Sequence, residues 1–313
     1  MRNAKIYRIA KDIKIMKFSY TVQLHSFLQE KLQNNDFSLT EIYTGGSSYN
    51  FHLVMQQGEY FIKIIADEDV KHVNKILHIL QHIYPDMEIY LGHLQCENKQ
   101  FNVSMMPYIK GRKITGKDIT PETLVKLQNN YHQITDVANI DIEVDAQITF
   151  ESLEAKIEHS FAEHKGLKNY MLRHFFWKHF KTHLRSFVST TQIIHGDFSL
   201  KNILIDANRQ PHIIDYEMLR YGYMAEDWAF FMLQLANFHK LWGNIRTFKA
   251  IFAQIYPLAE DKSQWLYGVQ MYYLQRLQRR LATEKSLRKT ISFLISLNRY
   301  YTIEKTILNF KHF

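Results

Sequence analysis

The chain contains little cysteine, proline or glycine: one cysteine, five prolines and eleven glycines occur in 313 residues. The single cysteine, Cys96, lies in the turn-like stretch LQCENK and cannot form an internal disulfide or a cysteine-rich zinc site. The sequence also lacks repeats and low-complexity segments, which argues against repeat architectures and flexible linkers. We therefore expect closely packed lobes in a reducing compartment.

Long apolar runs are absent as well. No stretch reaches the run of about 20 apolar residues that crosses a bilayer, and the opening MRNAKIYRIAKDIKIMKF interleaves charged with apolar side chains, unlike a signal peptide. These absences predict a cytoplasmic protein without a transmembrane segment. The oligomeric state stays open.

The apolar content and the charge are what the sequence does have. With 46% hydrophobic and 14% aromatic residues, the chain can bury a large core and form two lobes. A net charge of +8 suits an anionic partner such as a nucleotide, but no zinc-finger or RNA-recognition spacing accompanies it, so we expect no nucleic acid partner. The basic, aromatic segment Lys165–Phe187 could lie on an anionic membrane, but inward packing of its aromatic side chains is favoured.

The first third of the chain predicts a small sheet with one helix packed on it. The segments Leu39–Gly45, Tyr49–Ile65 and Phe101–Ile109 are rich in aromatic and β-branched residues, and a Gln-Gln-Gly turn divides the second into a hairpin. From Val70 to Tyr84 the apolar residues follow a helical stripe, which ends before a proline.

Helical periodicity dominates from about Thr120, which is a predicted N-cap with proline in the first turn. The exception is a predicted short hairpin, in which NILID and HIIDY flank ANRQP. This hairpin would place Asn202 and Asp215 at one edge, where strands give way to loops.

The residues around this hairpin suit phosphoryl transfer. An H-G-D sequence ends at Asp197, four residues separate it from Asn202, and Asp215 opens a D-Y-E sequence. Transfer from ATP to a hydroxyl needs a metal ion held by hard oxygen ligands and a carboxylate that accepts the hydroxyl proton. Asp197 is the predicted base, and Asn202 and Asp215 are the predicted metal ligands. We expect His195 to be structural, donating to backbone carbonyls.

The pattern H-G-D-x-x-x-x-N followed by I-D-Y-E resembles the aminoglycoside phosphotransferase and choline kinase family, with Gly196 where protein kinases carry arginine. The resemblance implies an α+β, bilobal, protein-kinase-like fold, with a small N-terminal β-sheet lobe carrying one helix and a larger, mostly helical C-terminal lobe. It implies a nucleotide-binding lobe at 1–107, with an N-terminal extension and helix at 1–38, and a catalytic and acceptor-binding lobe at 108–313. The implied activity moves the γ-phosphate of ATP, with Mg²⁺ as cofactor, to a hydroxyl of a small molecule.

The resemblance also implies nucleotide contacts. IYTGGSSYNFHLV looks like the family's phosphate-covering turn, and a strand lysine and a hinge follow it in the expected order. The residues are Gly45, Gly46, Ser47 and Ser48 for the phosphates, Lys63 for the α- and β-phosphates, and the backbone near Met106 and Tyr108 for adenine.

The acceptor is less defined by the sequence. The resemblance implies that Glu217, Asp227 and Trp228 lie near it, and the acidic side chains of Glu217, Glu226 and Asp227 would suit an amine-bearing molecule. The C-terminal aromatic residues would form either a box for a quaternary ammonium or ordinary core; they are Trp228, Trp242, Trp265, Tyr267, Tyr272 and Tyr273. An amino alcohol, a sugar and an aminoglycoside-like acceptor all remain open.

One departure from the family pattern keeps another function open. The family carries a glutamate on the helix after the strand lysine, but here those positions read KHVNKIL. Either Glu68 or Asp69 substitutes for this acid, or the protein is a catalytically weak pseudokinase that acts as a nucleotide- or partner-binding module. A weaker third class is a membrane or nucleic-acid adaptor that uses the basic helices.

Overall fold

The computed structural model describes residues 21–42, 49–66, 70–135, 147–163, 166–182, 191–236, 244–258, 262–283 and 299–310. The chain divides into two compact units, Met1–Lys110 and Gly111–Phe313. The first unit contains an antiparallel sheet and the second is mostly helical. The predicted α+β class is therefore confirmed.

The first unit is built on a five-stranded sheet with the order β1-β2-β3-β5-β4. Its strands are β1 (Phe37–Ile42), β2 (Tyr49–Met55), β3 (Gly58–Ala66), β4 (Tyr90–Cys96) and β5 (Lys99–Pro107). The predicted turn between β2 and β3 is confirmed, with Met55 opposite Gly58. Strand β4 was not predicted. The turn predicted in the stretch LQCENK is present directly after Cys96, which ends β4, and the chain turns at Glu97, where φ is 53°.

The two faces of this sheet differ in chemistry because side chains alternate along each strand. On the apolar face, buried residues pack against Leu24 and Leu28 of helix α1 (residues 21–32). These are Phe51, Leu53, Ile62, Ile64, Phe101, Val103 and Met105. Helix α1 was predicted as part of an N-terminal extension, but both of its leucines are fully buried in the core of the sheet.

Helix α2 (Val70–Ile83) follows the sheet's third strand, as the sequence predicts. Leu77, Ile79 and Leu80 are buried, and the helix ends before Pro85, whose ring cannot continue it. Its first turn contains no acidic residue. Glu68 and Asp69 lie outside the described residues, so their substitution for the family's helix acid stays a prediction.

The second unit has short strands and long helices. The strands are β6 (Gly111–Lys113), β7 (Gln192–Ile194), β8 (Ile203–Asp206), β9 (Pro211–Ile213) and β10 (Arg220–Gly222). The helices are α3 (Pro121–Thr135), α4 (Phe150–Glu163), α5 (Leu167–Met171), α6 (Lys178–Lys181), α7 (Met224–Leu235), α8 (Ile245–Ile255), α9 (Lys262–Thr283) and α10 (residues 299–308). A π-helical segment, Leu172–Trp177, connects α5 to α6.

Two local predictions in this unit are confirmed. Thr120 caps α3, since its hydroxyl oxygen accepts the Thr123 N–H at 3.1 Å. Strands β8 and β9 form the predicted hairpin, with Ile203 opposite Ile213. Strand β6 pairs with the other edge of β8, which gives a three-stranded sheet.

The aromatic residues of the second unit are mostly core. Trp228, Trp265, Tyr267, Tyr272 and Tyr273 are all buried, so the described members of the suggested ammonium box do not form one; Trp242 lies outside the described residues. In the basic aromatic segment, Phe176, Trp177 and Phe180 are buried, which confirms inward packing there. None of the described helices is long and apolar enough to cross a membrane.

Candidate active site

The loop that connects β7 to β8 contains the predicted base, and we call it the catalytic loop for that prediction. It is organised around His195, which is fully buried. Its Nε2 lies 3.0 Å from the Ile214 carbonyl oxygen, which can only accept, so Nε2 carries a proton. Nδ1 then accepts the Asp197 backbone N–H at 3.4 Å. The prediction that His195 is structural, donating to a backbone carbonyl, is confirmed.

Gly196 has a backbone conformation and surroundings that exclude a side chain. Its φ is 75°, in the left-handed region, and a Cβ atom added there would lie 2.0 Å from the Met218 carbonyl oxygen. The segment after β9 thus passes directly against the loop. This contact explains why glycine stands here where protein kinases carry arginine.

The predicted base, Asp197, is fixed through one of its two carboxylate oxygens. Oδ2 accepts from the Asn202 Nδ2 at 3.1 Å and lies 2.8 Å from the Lys201 ammonium nitrogen. Asn202 Nδ2 also donates to the Asp197 backbone carbonyl at 2.9 Å. Within the described part of the chain, no hydrogen bond uses Oδ1. The carboxylate is therefore oriented and keeps one oxygen available.

The predicted metal ligands Asn202 and Asp215 lie at the same end of the β8–β9 hairpin. The Ile214 N–H donates to the Asn202 carbonyl oxygen at 2.9 Å, so Asp215 follows the residue opposite Asn202. Asn202 uses Nδ2 for Asp197, and among the described residues nothing donates to its Oδ1. An amide oxygen and a carboxylate at one edge are the ligand types that Mg²⁺ prefers, so these residues fit a magnesium ion.

Asp215 also has an unusual backbone. Its φ and ψ are 68° and 62°, in the left-handed region, and its side chain is exposed. Aspartate enters this region more readily than most residues, but the conformation still costs on the order of 1 kcal/mol. Because the backbone turns sharply at this residue, Asp215 leaves the strand direction directly after β9.

The acceptor predictions for Asp227 and Trp228 are wrong. Asp227 has 2% and Trp228 1% of its surface exposed, so neither can contact a solute. Asp227 instead holds the catalytic loop from beneath: its carboxylate accepts the His195 N–H at 2.6 Å and the Gly196 N–H at 3.1 Å. The side chain of Glu217 lies outside what the structure describes.

The buried support extends beyond Asp227. The Tyr131 hydroxyl donates to Asp227 Oδ2 at 2.8 Å, and Arg220 forms a buried ion pair with Glu226 at 2.7 Å. Glu226 also accepts the Tyr223 N–H at 3.0 Å, which caps the start of α7. Burial raises the pKa of Glu226 and of Asp227, and the Arg220 charge opposes the shift in both.

In the first unit, the predicted nucleotide residues Lys63, Met106 and Tyr108 share one face of the sheet, opposite the apolar face. Lys63 is buried and lies between Asn50 of β2 and Ser104 of β5, its partners in strand register. Residues paired across neighbouring strands point to the same side, so a polar row crosses three strands at Lys63. Gly45, Gly46, Ser47 and Ser48 lie outside the described residues.

An aromatic residue that the sequence analysis missed lies on this polar face. Phe61 is two residues before Lys63 and opposite Met106. The strand period of two places its ring on the same side as the Lys63 side chain. The sequence was sufficient to predict this placement of Phe61, because a residue two positions before a strand lysine lies on the same face of the sheet.

The hinge prediction needs refinement at the backbone. The Tyr108 N–H already donates to the Glu59 carbonyl oxygen at 3.0 Å, and its ring stacks on His52 at 3.9 Å between centroids. In an antiparallel ladder, alternate residues direct their backbone groups to opposite sides. Extended by one residue at each side of Tyr108, this alternation directs the Pro107 carbonyl and the Ile109 N–H away from β3.

Cys96 is excluded as a nucleophile. It is buried, and burial raises the pKa of its thiol to about 11, with a smaller contribution from the charge of Glu97. A thiol of this kind is protonated at neutral pH and unreactive.

Comparisons with known proteins agree with this geometry. A sequence model of the phosphotransferase enzyme family (APH) matches residues 38–254. No curated protein matches the chain in sequence.

Solved structures are similar to the chain over nearly its whole length. The amicoumacin kinase hAmiN, in complex with AMP-PNP, Ca²⁺ and Ami, has 13% identity and a TM-score of 0.61, covering 96% of this chain and 98% of that one. Spectinomycin phosphotransferase APH(9)-Ia, in complex with ADP and spectinomycin, has 10% identity and a TM-score of 0.57, with coverages of 92% and 97%. Aminoglycoside phosphotransferase APH(4)-Ia has 13% identity and a TM-score of 0.57, with coverages of 91% and 99%.

These identities are low, so the structural similarities establish the fold alone. The family model, in contrast, extends over more than half of the sequence and includes both the strand lysine and the catalytic loop. The chain belongs to the phosphotransferase enzyme family (APH).

Proposed function

We propose that the protein transfers the γ-phosphate of ATP to a hydroxyl of a small molecule. The observation that carries this proposal is the state of Asp197, whose Oδ2 is held by two donors while Oδ1 accepts no hydrogen bond from the described residues. A general base must be oriented and must keep an oxygen within about 2.6–3.2 Å of the proton it accepts. Asp197 is oriented through Oδ2, and its Oδ1 is left for the hydroxyl of an acceptor.

The nucleotide is assigned to residues on the polar face of the sheet. Lys63 would pair with the α- and β-phosphates. The Phe61 ring would pack on the base, and the Pro107 carbonyl and Ile109 N–H would bond to its edge. Gly45, Gly46, Ser47 and Ser48 remain the proposed phosphate-covering turn on the strength of the sequence.

The metal is assigned to Asn202 Oδ1 and the Asp215 carboxylate. No group of three or more His, Cys, Asp or Glu side chains that could hold a metal occurs among the described residues. Mg²⁺ does not require such a group, since it commonly takes one or two carboxylates together with substrate phosphates and water. When bound, Mg²⁺ neutralises charge on the β- and γ-phosphates.

The protein's part in the reaction is positioning and proton acceptance. The acceptor hydroxyl oxygen forms a bond to the γ-phosphorus while the bond from that phosphorus to the bridging oxygen breaks. The electron pair of the broken bond leaves with ADP, and the hydroxyl proton passes to Asp197 Oδ1. Asp227 holds the loop by its backbone throughout, from the buried side.

The acceptor class proposed is an amino alcohol, a sugar or an aminoglycoside-like molecule. Support comes from the family and from similar proteins whose structures contain spectinomycin and Ami. The acidic side chains of the second unit that reach solvent include Asp215, whereas Asp227 and Glu226 are buried. Of the three acidic residues expected to suit an amine-bearing acceptor, only Glu217 is then left to bind the amine.

A second candidate is a pseudokinase that binds nucleotide without efficient turnover. The observation favouring it is the absence of an acidic residue in the first turn of α2. The two functions differ in whether bound Mg·ATP is consumed.

The deciding experiment is an ATP-consumption screen over amino alcohols, sugars, nucleosides and aminoglycosides, with Asp197→Asn as the matched control. We expect at least one acceptor to stimulate ADP release by the wild-type protein and not by the variant. Binding of Mg·ATP without stimulation by any acceptor would favour the pseudokinase. Equal ADP release by both proteins would reject Asp197 as the base.

A further inference from the structure

Lys201 contacts the proposed base, although it was not among the predicted site residues. It directly precedes Asn202, and its Nζ lies 2.8 Å from Asp197 Oδ2. The spacing alone does not bring these two residues together, because they lie in a loop and not in an α-helix. The loop is folded by the Ser199 N–H, which donates to the Asp197 carbonyl at 2.7 Å, and by the Asn202 N–H, which donates to the Ser199 carbonyl at 2.9 Å.

An ordinary surface ion pair is the simplest interpretation, and the chain offers one for comparison. Lys126 and Glu122 pair at 2.7 Å on α3 with the same sequence spacing, and the Glu122 side chain is 77% exposed. In the Lys201 pair, the Asp197 side chain is only 16% exposed, while the Lys201 side chain is 58% exposed. Lys201 therefore extends from solvent onto a shielded carboxylate whose orientation matters for chemistry.

Lys201 binds one particular oxygen of the Asp197 carboxylate. Lys201 and Asn202 both bind Oδ2, so the hydroxyl that attacks is left to Oδ1. Both oxygens belong to one carboxylate, so a phosphoryl group that reaches this hydroxyl comes within reach of the flexible Lys201 side chain. The ammonium has three donors, and only one is needed for Oδ2.

We propose that Lys201 orients Asp197 and binds the transferring phosphoryl group, an assignment that rests on the proposed function. In the resting loop, one N–H of Lys201 holds Oδ2. During transfer, a second N–H donates to a γ-phosphoryl oxygen while the hydroxyl oxygen bonds to phosphorus, the bond to ADP breaks and the proton moves to Oδ1. A fixed cation at the developing charge stabilises the transition state more than the ground state.

The test compares Lys201→Met, Lys201→Arg and the matched surface variant Lys126→Met. Lys201→Met should lower ATP turnover by about 10- to 100-fold, the range for losing a charge-assisted hydrogen bond, without changing the affinity for Mg·ATP. Lys201→Arg should recover most of the turnover, and Lys126→Met should behave as wild type. Water serves as acceptor in this assay until a better one is known.

A binding measurement avoids dependence on the acceptor. Mg·ADP with aluminium fluoride imitates the transferring phosphoryl group, so Lys201→Met should bind it about 10- to 100-fold more weakly than wild type while binding Mg·ADP equally well. Calorimetric titration separates the two affinities. Equal affinity of wild type and Lys201→Met for the aluminium fluoride complex would overturn the phosphoryl contact.

The outcomes distinguish a failure of the Lys201 assignment from a failure of the proposed phosphotransferase function. Wild-type turnover by Lys201→Met, beside lost turnover in Asp197→Asn, would reject Lys201 and leave the phosphotransferase intact. If the wild-type protein neither consumes ATP nor binds the aluminium fluoride complex more tightly than Mg·ADP, both the proposed function and the Lys201 assignment are wrong.

Discussion

Two aspartates lie on opposite sides of the catalytic loop, in opposite surroundings: Asp197 belongs to the loop, and Asp227 belongs to α7. On the solvent side, Asp197 is held by the side chains of Asn202 and Lys201. On the buried side, Asp227 is held by two backbone N–H groups, from His195 and Gly196, and by the Tyr131 hydroxyl. One carboxylate keeps an oxygen for chemistry, and the other uses both oxygens for structure.

The difference shows how the loop combines reactivity with rigidity. A carboxylate that must accept a proton has to stay accessible, so its own contacts are few. A carboxylate removed from water needs a donor at each oxygen, because an unsatisfied buried charge is strongly destabilising. Asp227 therefore fixes the backbone of the loop that carries the proposed base, Asp197.

The largest effect expected is the loss of turnover in Asp197→Asn. The amide cannot accept the hydroxyl proton, so turnover should fall by about 10²- to 10⁴-fold, the usual contribution of a general base. The affinity for Mg·ATP and the free energy of unfolding should stay near wild type, because the amide fits the same space. Steady-state kinetics, nucleotide titration and urea unfolding measure the three quantities, and a marked loss of stability would contradict the division of roles.

Asp227→Asn should produce the opposite pattern. The amide nitrogen of the asparagine cannot accept a hydrogen bond from the backbone N–H that it would face. The free energy of unfolding should therefore fall by about 2–4 kcal/mol. Tyr131→Phe removes a single donor and should lower it by only about 0.5–1.5 kcal/mol. Urea unfolding checks both, and a fully stable Asp227→Asn would mean that the loop does not depend on this carboxylate.

Substitutions of the two proposed metal ligands should have smaller effects, which differ between the two residues. Asp215→Ala should weaken Mg²⁺-dependent ATP binding by at least about tenfold, since even outer-shell partners of a metal contribute that much. Asn202→Ala should weaken it less, because it removes no charge, but should lower turnover further, because Asn202 also orients Asp197. Titrations of ATP with and without Mg²⁺ distinguish them, and equal binding by both variants and wild type would end the metal assignment.

Local signals in the sequence were sufficient for much of the fold and part of the site. The aromatic and β-branched residues and the Gln-Gln-Gly turn predicted the β2–β3 hairpin, and the H-G-D-x-x-x-x-N spacing identified the loop around Asp197. These features depend on residues close in sequence, where strand alternation and turn chemistry decide the structure.

Features that depend on distant contacts were missed. The family resemblance predicted Asp227 near the acceptor, but its carboxylate is buried and accepts from donors at Tyr131, His195 and Gly196. The requirement for glycine at position 196 comes from the Met218 carbonyl. Such pairings form only when separate segments meet in the fold, and no periodicity encodes them.

The smallest effect expected comes from an exposed ion pair that contrasts with the buried Arg220–Glu226 pair. Arg112 donates to both carboxylate oxygens of Asp118, and the Thr115 N–H and hydroxyl donate at 2.8 and 2.7 Å. The Arg112 guanidinium holds the pKa of Asp118 well below its ordinary value. Because the folded pKa is depressed, the stabilisation is present above the unfolded pKa of about 3.9 and is lost as pH falls through the folded value.

Asp118→Asn should therefore lower the unfolding free energy at pH 7 by at most about 1 kcal/mol, since the Arg112 side chain is 62% exposed and solvent screens the pair. The difference between variant and wild type should stay constant down to about pH 4 and shrink below it, as protonation removes the charge from the wild-type side chain. It should also shrink in 1 M salt at pH 7, where the screening length is about 3 Å. Urea unfolding at pH 7, 5 and 3 tests this. A difference that persists unchanged at pH 3 and in high salt would show that Asp118 stabilises its loop through neutral hydrogen bonds with Thr115 instead of through its charge.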